Sequence, residues 1–289
     1  MTATLAFGPP ATAPGWATFT ALARRETCRF LLNPVFLLAA AFIVVVMALG
    51  PDAGEPEIDT FNPYPAIFLG GFGMMAMYWL TRSMRASEPV VGVAPVTWPA
   101  RTGALCVVAL VPFACGGLAL LRFVQLTPLD SALYGPFSSS ARVAILVGQI
   151  VMPALGGPLL GVALGRWVRF PGAAFVLFLV LYGWVSLVTI LSFSHPDSTP
   201  VAVLRLFAPF AFFTYAGNAD GVTAWRGSPW FFLGWQLALC AIAILLALLR
   251  GAEGRIRTRV IRALVIAGVA ALILLGLAAA GGFTHVVTA

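Results

Sequence analysis

The stretch RVAILVGQIVMPALGGPLLGVALGR, Arg142 to Arg166, holds no ionisable side chain between its two terminal arginines. Crossing a hydrocarbon core of about 30 Å takes about 20 apolar residues as helix, so this segment predicts a transmembrane helix. Windows of the same kind run between Arg29 and Asp52, Asp59 and Arg82, Arg101 and Arg122, Arg169 and Asp197, and Arg226 and Arg250, with a last one from Arg262 onward. They predict an all-α, polytopic transmembrane bundle: a six-span core and a seventh, C-terminal span behind the basic connection Arg250–Arg262. The apolar run Leu206–Ala219 is too short to cross and predicts a re-entrant or interfacial helix. Residues 1–15 read as a disordered tail, 16–250 as the membrane core, and 251–289 as the basic connection with the added span.

Composition agrees. The chain has 289 residues, 61% hydrophobic and 9% charged, with a mean hydropathy of +0.98; a soluble domain carries about 25% charged residues. All 17 basic residues are arginine. Without lysine the chain has no P-loop lysine for ATP, no Schiff-base lysine and no Ser-Lys dyad. The cysteines, Cys28, Cys106, Cys115 and Cys240, form no CxxC pair and read as packing residues. His195 and His285 have no second His or Cys within a helical turn. The first fifteen residues carry no positive charge and do not read as a signal peptide. HExxH, DxxxD and GxSxG are absent, and His195-Pro196-Asp197 has ordinary turn composition. The expectation is a chain that is not an enzyme, with no catalytic, cofactor-binding or metal-ligating residues of its own.

Arginine distribution predicts orientation by the positive-inside rule. With the N-terminus in the cytoplasm, Arg24, Arg25, Arg29, Arg82, Arg85, Arg101, Arg166, Arg169, Arg250, Arg255, Arg257, Arg259 and Arg262 lie inside. Only Arg122, Arg142, Arg205 and Arg226 lie outside. The +7 net charge is thus an orientation signal, and no nucleic-acid partner is expected, because the arginines are divided among several inner loops.

Four segments carry polar features worth placing. Trp16–Phe30 is amphipathic, with Trp16, Phe19, Leu22, Ala23 and Phe30 on one side and Arg24, Arg25 and Arg29 on the other, the pattern of a helix in the membrane interface. Glu26 falls in the apolar arc and needs a partner; Arg82 and Arg85 are the candidates. The inner stretch Arg82–Arg101 predicts a short helix through Met84–Ser87, ending before Pro89, with Trp98 as an interfacial anchor. In the fourth span Pro153 and Pro158 predict kinks, and Gly157, Gly161 and Gly165 form small-xxx-small steps for close helix approach. Gln149 and Gln236 are strongly polar residues deep in spans, placed either on an interhelical hydrogen bond or on a translocation path. The outer stretch Ser194–Ser228 gathers Phe207, Phe210, Phe213 and Tyr215 as an outer gate or an interfacial belt.

The order of these elements resembles the membrane subunits of type-2 ABC transporters, the permeases. The resemblance rests on ALARRETCRFLLNPVF (residues 21–36), with its Glu after basic positions and its Pro opening the first span. It also rests on the order Arg82, Arg85, Glu88, Pro95, Arg101, Gly103 after the second span, and covers about Trp16 to Arg250. It implies one half of a dimeric pore, paired with a second copy or a paralogue in a bacterial cytoplasmic membrane. Separate ABC ATPase subunits would hold ATP and Mg, and a hydrophobic or amphipathic substrate would move outward. Glu26, Arg82, Arg85, Glu88 and Arg101 would then couple to the ATPases. An ATP-independent secondary transporter or channel, and a non-transporting scaffold subunit, stay open as alternatives. Substrate identity is not legible in the residues.

Overall fold

A computed structural model describes residues 15–49, 64–86, 97–126, 138–194, 204, 207, 216–218, 221–223 and 228–280. The described residues form eight helices and one short hairpin. Helix α1 is Trp16–Leu31 and α2 is Pro34–Leu49. Helix α3, residues 65–86, is a π-helix over Pro65–Phe72 and an α-helix over Gly73–Ala86. Helix α4, Trp98–Leu126, loosens into a turn at Ala109; Pro112 has no N–H to donate to the carbonyl of residue 108. Helix α5 is Ser139–Trp167, α6 is Ala173–Ser194, α7 is Pro229–Leu249 and α8 is Gly254–Ala279.

Four of these, α4, α5, α7 and α8, are long and apolar enough to cross a bilayer. The pair α1–α2, bent by 66°, makes a fifth candidate if taken as one span. The fold is therefore a helical membrane bundle. The sequence pattern expects more crossings, at α3 and α6. Helix α6 carries no charged residue along Ala173–Ser194. Helix α3 is less apolar because Gly70, Gly71, Gly73, Tyr78 and Thr81 lie along it.

Those same residues make α3 the inner partner of α5. A Cβ on Gly157 would overlap the Gly70 carbonyl, one on Gly161 would overlap the Met74 carbonyl, and one on Gly165 would sit 2.8 Å from Thr81 Cβ. The expected small-xxx-small seam is thus realised, with partners on α3 at Gly70, Met74 and the Tyr78–Thr81 turn. In a bilayer, where lipid is as apolar as leucine, such close approach is a main source of helix association. Around this pair α1, α2, α4 and α7 close a core of Phe30, Phe36, Leu69, Met77, Leu105, Val108, Phe123, Ile150, Val162 and Ala247. Helix α8 packs on α7 through Ala271, Leu275 and Ala278 against Phe232 and Trp235. Its outer face, with Val265, Ile266, Val269, Leu272 and Ile273, is exposed.

Two expectations are corrected. The helix anticipated over Leu206–Ala219 is not helical at its end: Ala216–Asn218 (β1) pairs antiparallel with Gly221–Thr223 (β2), closing at Asn218↔Gly221. Gly217, Asn218 and Gly221 are turn and strand-end residues that cost a helix and suit a tight hairpin. The short helix anticipated through Met84–Ser87 is, over its described residues, the last turn of α3, continuous through Ala86 with Met84 buried.

Candidate functional site

The ends of five helices meet at the arginine-rich end of the bundle. Helix α1 is fastened first. Glu26 is 3% exposed, and Arg29 Nη1 donates to both its carboxylate oxygens, at 3.0 and 3.2 Å. Arg29 Nη2 then donates to Ser83 Oγ of α3 at 3.0 Å. Phe30, fully buried, packs its ring on Phe36 at 4.4 Å, and Phe19 lies over Gly103 of α4. The partner of Glu26 is therefore Arg29 and not Arg82 or Arg85. One turn apart on the same helix, the pair needs no ordering of a loop to meet, and the shared guanidinium fork still reaches α3.

Arg85 serves another helix. Its Nη1 donates to the carbonyl of Arg166 at 3.2 Å, placing a cation on the unsatisfied carbonyls at the C-terminal end of α5. Arg166 itself is 2% exposed, and its guanidinium lies 4.2 Å from the ring centre of Trp98, the first residue of α4. A desolvated cation–π contact of this kind contributes about 2 kcal/mol. The Trp98 ring is also so close to Gly251 that a Cβ there would overlap it. Trp167 donates its indole N–H to the Leu246 carbonyl at 2.8 Å, and Arg250 stands 5.4 Å over the Trp167 ring. The Tyr78 hydroxyl donates to the Phe170 carbonyl.

Two interleaved Arg–Trp contacts thus tie α4, α5 and α7 together, and Arg85 and Arg29 add α3 and α1. Both described flanks of the Arg82–Arg101 stretch, Arg82–Ala86 and Thr97–Arg101, enter this node. Trp98 thus does more than the interfacial anchoring its residue type predicts. The Arg166-Trp167 dipeptide at a helix end, with Trp98 and Arg250, was the available signal for the node. Of the other expected coupling residues, Arg82 is exposed, Arg101 is half-buried in the first turn of α4, and Glu88 lies outside the described residues.

The two deep glutamines fall on different tasks. Over Val147–Val151 helix α5 is a π-helix, with the Met152 N–H bonded to the Val147 carbonyl. In that register the next donor would be Pro153, which has no N–H, and the acceptor left over is Gly148. Gln236 of α7 supplies the missing donor: its Nε2 bonds the Gly148 carbonyl at 2.9 Å. The interhelical reading of Gln236 is the one its geometry supports. Gln236→Leu is expected to destabilise the protein by about 1–2 kcal/mol in detergent unfolding, the upper range for a hydrogen bond between membrane helices. Adding Pro153→Ala, which restores an N–H at that turn, is expected to recover part of the loss; strict additivity of the two variants would refute this account. Gln149 is 4% exposed, and neither atom of its amide is hydrogen-bonded among the described residues. Of the expected outer gate, Phe207 is exposed, and Phe210, Phe213 and Tyr215 lie outside the described residues.

No protein-family model, curated protein or solved structure matches this chain.

Proposed function

We propose that the chain is the membrane-spanning permease subunit of an ATP-driven exporter of the type-2 ABC kind, working as half of a dimeric pore. Six spans, α2 to α7, form its core and α8 is a seventh. Helix α1 lies in the interface, and the arginine-rich end faces the cytoplasm of a bacterium. The carrying observation is the node of Arg29–Ser83, Arg85–Arg166 and Trp98–Arg166 contacts. A push on the Arg82–Arg101 stretch from a docked ATPase reaches α5 through Arg85 and Trp98, and α7 through Gly251. Because α5 and α3 touch backbone to backbone at Gly157 and Gly161, they move as one body. Displacement at the basic end then becomes tilt at the far end, where substrate leaves. The ATP and Mg sit on the partner ATPase, in keeping with a chain that has no lysine.

A mild-detergent pull-down of the tagged protein from its own membrane, with partners identified by mass spectrometry, tests this. A P-loop ATPase is expected near equal stoichiometry, reduced about tenfold or more by Arg85→Glu, a loss equivalent to about 1.4 kcal/mol. An intact protein that brings down no ATPase overturns the proposal in favour of an ATP-independent channel or a scaffold.

A further inference from the structure

Between α3, α5 and α6 lies a cavity of about 420 Å³. Its walls are Ile67, Gly70, Gly71 and Met74 of α3, Gly157 of α5, and Leu181, Val185 and Ile190 of α6. Three glycines at one place withhold the side chains that would fill it. Phe178 closes one end, its ring lying on Gly71 and stacked near-parallel on Tyr182 at 6.0 Å. The polar groups of the lining are the hydroxyls of Tyr64, Tyr182 and Ser186. Helix α3 runs from Tyr64 toward Arg85, and α6 runs from Ala173 away from the basic end. Tyr64 and Ile190 are therefore at the end of the cavity remote from the arginines, with Ser186 one turn inward, while Met74, Phe178 and Tyr182 are nearer mid-bundle.

We infer that this cavity holds one acyl chain of a membrane phospholipid from the leaflet remote from the arginine-rich end. Three considerations select that occupant. The volume falls in the range of about 300–1,000 Å³ of small-molecule pockets. It is too small for a partner helix, since a cylinder about 10 Å wide would find room for only about one turn. The apolar lining does not hold water, which needs two to four polar partners at one point. Finally, the Tyr64 hydroxyl stands at the end where headgroups lie and Ser186 follows it inward, while glycine, methionine and phenylalanine, with Tyr182 beside them, stand where chains end. The lining residues Tyr182 and Ile190 of α6 are themselves exposed to the surrounding medium, so a chain enters sideways from the bilayer. The inference needs only the membrane bundle and holds whether or not an ATPase docks at the other end.

The test uses the full chain in nanodiscs containing a phospholipid with a photoactivatable diazirine at mid-chain. Irradiation is expected to label peptides covering residues 64–74 and 178–190. Ser186→Phe and Ala66→Phe, which fill the cavity from opposite walls, are each expected to cut that labelling about tenfold. Val180→Phe, on the exposed face of α6, should leave it unchanged, and size-exclusion profiles establish that the variants are folded. Labelling spread evenly along α6 and α8, or insensitive to both cavity-filling variants, overturns the inference.

Discussion

Replacing Gly161 with alanine is expected to destabilise the protein by about 3 kcal/mol, the upper end of the usual range for inserting a methyl into a packed site. A detergent melting curve should show this as a fall of about 6–12 °C. The added Cβ would overlap the Met74 carbonyl. A carbonyl in the middle of a helix cannot rotate away as a side chain can, so relief requires α3 and α5 to separate. Separation also breaks the contacts at Gly157 and Gly165, which lie on the same stripe. The control is Gly276→Ala on α8, where nothing lies within 4 Å of the new Cβ. There alanine is expected to raise stability by up to about 1 kcal/mol, through helix propensity alone. Equal shifts at the two positions would show that the α3–α5 seam is not a close contact.

The Gly161 seam also illustrates what is legible in one sequence. Helix existence follows from charge spacing because the bilayer imposes a length, and the glycine stripe of α5 follows from its period of four. The identity of its partner does not follow. Met74 carries no complementary mark, and the glycines at 70, 71 and 73 do not say which helix they meet, since close packing of backbones is recorded only as an absence of bulk. Glu26 shows the same limit from another side. Its position in the apolar arc foretells burial, but charge complementarity alone cannot choose among Arg29, Arg82 and Arg85. Geometry makes the choice, through a one-turn offset and the reach of the guanidinium to Ser83. The π-helical turn at Val147–Val151 and its donor from Gln236 are further still from view. They join Pro153 on α5 to a residue on α7, two chemically sensible facts that only the fold brings together. Trp98 had a known preference for interfaces, yet its ring is taken up by Arg166 and Gly251. A preference of residue type does not say which surface will satisfy it.

Reversing the charge at Glu26 tests whether α1 is a brace or a passive anchor. In Glu26→Lys a cation replaces the carboxylate that accepts two hydrogen bonds from Arg29. The buried end of α1 then holds two like charges, and Arg29 is drawn off Ser83. Arg29 is substantially exposed while Glu26 is not, so solvent screens part of the repulsion and the lysine relieves more by extending toward water. What remains is the loss of charge-assisted hydrogen bonds, about 2 kcal/mol. That loss is expected to raise the rate of tryptic cleavage after Arg24, a site on α1 that every variant keeps, about 30-fold, because cleavage follows the population in which α1 has opened. Glu26→Gln keeps the shape and one acceptor and should raise it only about fivefold. The swap Glu26→Arg with Arg29→Glu rebuilds a pair of opposite charges, and its carboxylate can accept from the Ser83 hydroxyl, so cleavage should fall back toward the native rate. If the swap is as labile as Glu26→Lys, the pair does not hold α1. If α1 is held but ATPase recovery in the pull-down is the same for Glu26→Lys as for the native chain, α1 is an anchor and the coupling path runs through Arg85 and Trp98 alone.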